Sequence, residues 1–178
     1  KQPTQFWQSV LTALAVVAPS ACQEAKALLQ LPDPPAMAEL LTGLINALAL
    51  LPESYALVLD DYHLVESRDV HTAITFLIEA LPSNWQLIIL TRADPPFPLA
   101  RWRARSLLSE IRAHDLRFVR EEIATFFANV STRQGDMPLS AEELALLEAR
   151  TEGWAAGLQL AQLSLQGCSD TKQFIQSF

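Results

Sequence analysis

Two short apolar runs in this chain end in side chains that can take part in nucleotide chemistry. The run at 57–59 leads directly into Asp60 and Asp61, and the run at 87–90 is followed by Arg92 after one residue. Such runs predict buried parallel strands, whose carboxyl ends bind ligands in open α/β sheets. Two acids and an arginine suit a magnesium-nucleotide site, because a carboxylate holds the metal through water and a cation lies near the terminal phosphate.

The other half of a nucleotide site is missing from the sequence. No Gly-x-x-x-x-Gly-Lys-Ser/Thr occurs in the 178 residues, and the five glycines, at positions 43, 135, 153, 157 and 167, are not spaced to form one. That loop cradles phosphates with its backbone N–H groups and its lysine. The residues therefore predict half of a nucleotide site.

The first part of the chain predicts helices around one strand-helix-strand unit. A helical pattern covers 4–17, and Asp33 followed by Pro34 predicts the N-cap and first turn of a second helix. Strands are predicted at 55–60 and 85–90, and Ser67 is expected to cap the helix between them. A weaker third strand is predicted at 110–113 and a short helix from about Leu99.

From Arg120 onward the sequence predicts helices only. Ser140 and Glu143 have the spacing of a capping box, and small residues after Gly153 predict a closely packed helix. Trp154 is expected to be a core residue that seals this helix against the sheet. We therefore expect a partial nucleotide-binding α/β domain at 1–118 and a helical subdomain at 119–178.

The charge of the chain is negative overall but unevenly distributed. A net charge of −7 argues against nonspecific nucleic-acid binding by the whole surface. Seven of the thirteen basic residues fall between 92 and 120, and acids collect from Glu121 to Glu152. These two segments are expected to face each other.

Cellular location and cysteine chemistry are only mildly constrained. No apolar stretch is long enough to cross a bilayer and no secretory signal is visible, so a cytoplasmic protein without membrane contact is expected. Cys22 and Cys168 lie far apart in sequence, which favours two buried thiols over a disulfide. Because Lys1 stands in place of an initiator methionine, we expect a segment of a larger protein.

Four sequence blocks together resemble a known family. They are Leu-Val-Leu-Asp-Asp-Tyr-His (57–63), Leu-Thr-Arg-Ala-Asp-Pro-Pro-Phe-Pro-Leu-Ala-Arg (90–101), Asp-Leu-Arg-Phe (115–118) with two following glutamates, and Thr-Glu-Gly-Trp-Ala-Ala-Gly-Leu-Gln-Leu-Ala (151–161). In this order they resemble the nucleotide-binding module of MalT-like, LuxR-type transcriptional activators, large signal-transduction ATPases of the STAND class. The likeness covers roughly 6–165. It implies a partial P-loop NTPase fold of the ASCE type, a three-layer parallel α/β sheet followed by a C-terminal helical subdomain.

The resemblance implies a role for each matching residue. Asp60 matches the Walker B acid that holds magnesium through water, Asp61 the acid that orients the attacking water, and Arg92 the sensor arginine. Gly157 and Leu158 match the region that approaches adenine, although Gln159 stands where relatives carry proline.

The resemblance also implies cofactors and partners. The Walker A loop is expected before Lys1, so ATP and magnesium belong to the complete protein and neither is expected to bind this chain tightly. Self-association is expected through the nucleotide-binding module, partly because a missing strand would leave sheet edges open. Inducer and DNA are expected to bind regions outside the chain.

Each feature also has a plainer interpretation. The two aspartates can end a strand and cap a turn, and Arg92 can be an ordinary surface charge. Arg101, Arg103 and Arg105 are more typical of a solvated or salt-bridged helix face than of an arginine finger. His63 either orients the Walker B loop or is simply hydrogen-bonded. The whole chain is then either part of a nucleotide-operated switch or a nonenzymatic scaffold with a degenerate site, and an intact Walker A loop upstream would favour the switch.

Overall fold

Helices make up most of the chain, and two short strands supply the β-structure found within residues 3–134 and 139–165. These are the residues that the computed structural model describes, with the backbone alone at 130–134. Two units divide the chain, Lys1–Trp102 and Arg103–Phe178, and each is described by itself. The division predicted at residue 118 stays a prediction.

The first unit contains the strand-helix-strand arrangement that the sequence predicts. Its elements in chain order are α1 (Pro3–Leu14), α2 (Pro19–Leu29), α3 (Met37–Ala49), β1 (Tyr55–Leu59), α4 (Arg68–Ala80), β2 (Trp85–Ile89) and α5 (Leu99–Ala104). β1 and β2 pair in parallel, with register from Tyr55↔Trp85 to Leu59↔Ile89. The α/β prediction is therefore confirmed, as a two-stranded sheet in the part of the chain described.

The crossover helix α4 forms where its local sequence directs it. The hydroxyl of Ser67 accepts a hydrogen bond from the backbone N–H of Val70 at 3.4 Å, so the predicted cap is confirmed. Apolar residues then recur at helical spacing, and four of them are buried: Val70, Ala73, Ile74 and Leu77. Because this stripe is continuous along one side, α4 buries it in the core while its polar side faces water.

The helices of the first unit cover one face of the sheet. Leu57 and Trp85 are buried in a core that also includes side chains from α1, α2, α3 and α4. The indole N–H of Trp85 donates to the carbonyl of Leu48 at 3.3 Å, which fixes the sheet to the end of α3. On the opposite face Val58 and Ile88 remain 51% and 43% exposed. The described residues therefore form two layers, one of helices and one of strands.

The start of α3 differs from the prediction. Asp33 does not cap the helix, which begins at Met37 after an extended Ala36 (φ −56°, ψ 139°). The reason lies in the paired prolines, because a residue followed by proline is disfavoured in the helical region and Pro34 precedes Pro35. The apolar face predicted for this helix is nevertheless buried as expected.

The third strand predicted at 110–113 is wrong. Those residues form no strand, and no strand among the described residues pairs with them. Glu110 instead accepts hydrogen bonds from Arg103 at 2.6 and 2.9 Å, and it also pairs with Arg112. The hydrogen bonds from Arg103 lower the pKa of Glu110 to about 2. An extended segment needs a neighbouring strand for its backbone groups, and side-chain contacts hold this one as a loop.

The second unit is helical, as predicted. It contains α6 (Arg120–Gln134), α7 (Ala141–Thr151) and α8 (Ala155–Leu165), around a buried cluster of Ile123, Phe127, Leu147, Leu158 and Ala161. The capping box is confirmed, since Ser140 and Glu143 bond each other's backbone N–H. None of the helices described in either unit is long and apolar enough to cross a membrane.

Acidic and basic segments of the second unit pair with each other. Arg117 lies 3.1 Å from Glu152, and Arg120 lies 2.7 Å from Glu148. The expectation that the basic and acidic segments face each other is therefore confirmed for these residues. Exposed pairs of this kind each contribute little, roughly 0.2–1 kcal/mol.

Gly153 joins two of the blocks that carry the family resemblance. Its carbonyl accepts a hydrogen bond from the N–H of Phe118 at 2.8 Å. Its φ is +72°, and a Cβ at this position would lie 2.4 Å from the carbonyl oxygen of Phe118. Only glycine meets both requirements without strain.

Replacing Gly153 by Ala is therefore expected to destabilise the second unit. The added methyl meets backbone, which cannot rotate away, and the left-handed conformation adds about 1 kcal/mol or more. Gly43→Ala is the matched control, because nothing lies within 4 Å of a Cβ there; it should stabilise its helix by roughly 0.5–1 kcal/mol. Urea unfolding measures both, and equal effects would contradict the assignment of Gly153.

Candidate functional site

The loops that follow β1 and β2 are joined by backbone hydrogen bonds. The N–H of Leu90 donates to Leu59 at 2.9 Å, and the N–H of Tyr62 donates to Leu90 at 3.0 Å. These bonds continue the parallel pairing past the ends of the strands. The structure thus brings the loop of Asp60 and Asp61 and the loop that carries Arg92 to the same edge of the sheet.

The two aspartates lie in a tight turn and face solvent. Asp61 adopts a left-handed conformation (φ 50°, ψ 37°), which aspartate tolerates better than most residues. Its N–H donates to Oδ1 of Asp60 at 2.8 Å, and its carbonyl accepts from Leu64 at 3.0 Å. This turn fixes the backbone between the carboxylates and leaves their remaining oxygens accessible.

Arg92 is an exposed cation at the end of β2. It has no hydrogen-bond or ion-pair partner in the part of the chain that the structure describes. Its loop begins with a short turn, in which the hydroxyl of Thr91 donates to the carbonyl of Ala93 at 2.8 Å. A guanidinium without a protein partner remains available to an anion.

The arginines of α5 behave differently from Arg92. Arg101 pairs with Glu79, whose carboxylate also accepts from the indole N–H of Trp102 at 3.2 Å. Arg103 pairs with Glu110. These contacts support the interpretation of a salt-bridged helix face for Arg101 and Arg103, whereas Arg105 has no partner among the residues described.

Tyr62 fixes the acidic turn to the core, which sequence reasoning did not anticipate. Its ring is only 2% exposed and contacts Phe6 and Phe97, with centroid distances of 6.5 and 5.4 Å. Its hydroxyl is hydrogen-bonded to Nδ1 of His71 at 2.9 Å. Burial raises the pKa of Tyr62 and lowers that of His71. A tyrosine directly after two acids in a polar loop was the available sequence signal.

His63 lies on the same turn as the aspartates. Its Nδ1 is 3.8 Å from Oδ1 of Asp61, a distance too long for a hydrogen bond. This nitrogen is buried, and it has no hydrogen-bond partner among the described residues. The alternative that His63 is simply hydrogen-bonded therefore does not hold for Nδ1.

Gly157 and Leu158 belong to the packing of the second unit. Leu158 is 1% exposed, and a Cβ at Gly157 would lie 3.2 Å from Cβ of Thr151. Glycine therefore permits α8 to approach α7 closely. The predicted approach of Gly157 and Leu158 to adenine stays a prediction.

The prediction that Trp154 is a core residue is wrong. Its side chain is 49% exposed. It lies just before α8 and its N–H donates to Thr151 at 2.9 Å, so the backbone of this tight turn is fixed while the ring remains half in solvent. Of the cysteines, Cys22 is buried, and Cys168 lies outside the described residues.

The acids at the sheet edge suit magnesium better than a metal held by protein alone. No cluster of three or more His, Cys, Asp or Glu side chains in the described part of the chain can hold a metal ion. Magnesium usually takes one or two carboxylates, several waters and the phosphates of its substrate. The pair Asp60 and Asp61 fits that ligand set.

Comparisons with known proteins agree on one kind of relative. No family model matches the chain. The chain is 30% identical over 172 residues to the HTH-type transcriptional regulator MalT of Serratia proteamaculans, covering 97% of the chain and 19% of that protein. It is 31% identical over 166 residues to MalT of Yersinia enterocolitica, covering 92% and 18%. MalT of Vibrio cholerae is 30% identical over 164 residues, with coverage of 92% and 18%.

The fold and the site define the chain as an α/β segment with carboxylates and an arginine at one edge of a parallel sheet. The relatives identify it more particularly as a MalT-like segment, which confirms the resemblance in the sequence. The chain spans about a fifth of the length of the curated relatives it matches.

Acidification is expected to weaken the first unit through His71. Burial lowers the pKa of His71 from 6.5, against a smaller opposite effect of its hydrogen bond to the Val65 backbone. The unfolded chain then binds this proton more readily, so the free energy of unfolding should fall as the pH drops below about 6.5. Urea unfolding from about pH 8 to about pH 5 measures the effect.

His71→Gln should flatten this pH dependence, because glutamine keeps an acceptor for the Tyr62 hydroxyl without titrating. His114→Gln is the control, since the His114 side chain is 78% exposed. If both variants keep the same slope as the wild type, His71 is not responsible for it.

Proposed function

We propose that this chain is the Walker B and sensor half of the nucleotide-binding module of a MalT-like transcriptional regulator. The observation that carries the proposal is the pair of backbone hydrogen bonds linking the two loops, Leu90 to Leu59 and Tyr62 to Leu90. They hold two solvent-facing carboxylates and an arginine without a described partner at one edge of the sheet. Similarity to MalT over nearly the whole chain supports the same reading.

Each side chain has a distinct task in this proposal. Asp60 binds magnesium through water, and Arg92 contacts the terminal phosphate. Magnesium, when bound with the nucleotide, neutralises charge on the phosphates. Asp61 orients the attacking water and accepts its proton while the water oxygen bonds to the γ-phosphorus. The bond from that phosphorus to the bridging oxygen breaks, and ADP leaves with the electron pair.

The exposed face of the sheet supports a larger, three-layer P-loop fold in the complete module. All-parallel sheets are almost always covered on both faces, whereas Val58 and Ile88 are about half exposed here. Further strands and helices of the module would cover them. ATP in the complete module would then close the sheet against the helical subdomain and permit self-association, and hydrolysis would reset it. Inducer and DNA would bind other parts of the regulator, as the HTH-type name of its relatives suggests.

The chain by itself is expected to bind Mg-ATP weakly or not at all. The phosphate-binding loop supplies several N–H donors and a lysine, which provide most of the affinity, and no such loop occurs in the 178 residues. Isothermal titration calorimetry of the folded chain with Mg-ATP tests this. Micromolar affinity would refute the expectation, and a titration of the full-length regulator is the positive control.

Asp60→Asn in the full-length regulator is expected to lower magnesium-dependent ATP turnover by about 100-fold or more, the scale of losing one group aimed at developing charge. The change removes a negative ligand while keeping the size of the side chain. Asp33→Asn is the matched control, because Asp33 is an exposed acid on the connection between α2 and α3. Unchanged turnover in Asp60→Asn would rule out the role of Asp60.

A further inference from the structure

We propose that His63 is a positioning residue for Asp61. Its Nδ1–H donates a hydrogen bond to the Asp61 carboxylate and aims that carboxylate at the attacking water. This inference rests on the proposed function, because it assigns a task to His63 within the same site.

The proposal starts from a buried nitrogen that lacks a partner. Buried polar atoms in proteins nearly always have a hydrogen-bond partner, yet Nδ1 of His63 has none among the described residues. Oδ1 of Asp61 lies 3.8 Å away. A small rotation of either side chain brings the pair to the roughly 2.7–3.2 Å of a hydrogen bond, and such contacts often tighten only when substrate binds.

The local backbone keeps the two groups close while leaving that rotation possible. Asp61 begins the 3-10 turn Tyr62–Leu64, and its own backbone is held by Oδ1 of Asp60 at 2.8 Å. Tyr62 enters the core, where it is 2% exposed. His63 follows on the same turn with its Nδ1 beside Asp61, whose side chain is 60% exposed. The backbone is fixed, and the Asp61 carboxylate is the part free to move.

The hydrogen bond has a defined chemical consequence. When one carboxylate oxygen accepts from Nδ1–H, the other oxygen of Asp61 is left to accept the proton of the attacking water. His63 keeps its own proton throughout and makes no bond to phosphate or metal. Histidine and carboxylate pairs of this kind are a common means of orienting a reactive group.

The tautomer of His63 gives a test that does not depend on catalysis. In the folded chain at neutral pH, imidazole nitrogen chemical shifts measured by NMR should show the proton on Nδ1. Asp61→Ala should move the population toward the Nε2–H form, since the acceptor is lost. A proton on Nε2 in the wild-type chain, or a tautomer indifferent to Asp61→Ala, would overturn the proposal.

Kinetics of the full-length regulator give the second test. His63→Leu should lower kcat for ATP hydrolysis by about 10- to 100-fold with little change in KM. His63→Asn should retain most of the activity, because its amide N–H lies near the position of Nδ1. His63→Gln, whose amide reaches further, should not. His114→Leu is the matched control at an exposed histidine, and thermal unfolding confirms that each variant is folded.

A double-mutant cycle separates positioning through Asp61 from an independent effect. In an Asp61→Asn background, His63→Leu should cause no further loss of kcat, because the group it orients is already gone. Full additivity would overturn the inference, as would equal losses in His63→Leu and His63→Asn. If the wild-type regulator does not hydrolyse ATP, the proposed function itself fails and the inference falls with it. If Asp61→Asn lowers turnover and His63→Leu does not, only the inference fails.

Discussion

The parallel register of β1 and β2 is the constraint on which the candidate site depends. The strands pair from Tyr55↔Trp85 to Leu59↔Ile89, and two backbone hydrogen bonds carry the pairing into the loops beyond. A slip by one residue would turn every side chain to the opposite face, which would expose Leu57 and Trp85. Because burial of the core fixes this register, it also fixes which loop residues meet at the edge of the sheet.

The uneven covering of the sheet shows where its stability comes from. Burial on the helical face contributes about 1.5–3 kcal/mol for each large apolar side chain removed from water. The opposite face keeps Val58 and Ile88 about half exposed and does not provide that contribution in full. A strand pair stabilised from one side still positions its carboxyl-end loops, since the covered face and the backbone hydrogen bonds determine the register.

Features set by neighbouring residues were predictable from the sequence, and features set by distant contacts were not. The Ser67 cap and the buried stripe of α4 follow from spacing within one helix, and both were predicted. The hydrogen bond from Tyr62 to His71 joins a loop to a different helix, so no periodic pattern reveals it. Trp154 illustrates the opposite error, because its apolar ring suggested a core position while its place in a tight turn leaves it half exposed.

Prediction of the site followed the same division. Strand ends predicted that Asp60 and Arg92 would share one edge, because parallel strands joined by a crossover place their carboxyl ends together. The orphaned nitrogen of His63 depends on how its turn packs, which composition and spacing do not encode. The incorrect third strand came from an apolar-polar pattern at 110–113 whose polar groups find partners within their own loop.

The distribution of ion pairs changes the meaning of the basic segment. Five of its seven arginines pair with glutamates: Arg101, Arg103, Arg112, Arg117 and Arg120. These charges are largely neutralised locally, so the segment does not present the continuous positive surface that nucleic-acid binding uses. Arg92 differs because it stands at a strand end and no described residue pairs with it. A cation that recognises phosphate must be held by its backbone and not by a competing carboxylate, and within the basic segment Arg92 meets both conditions.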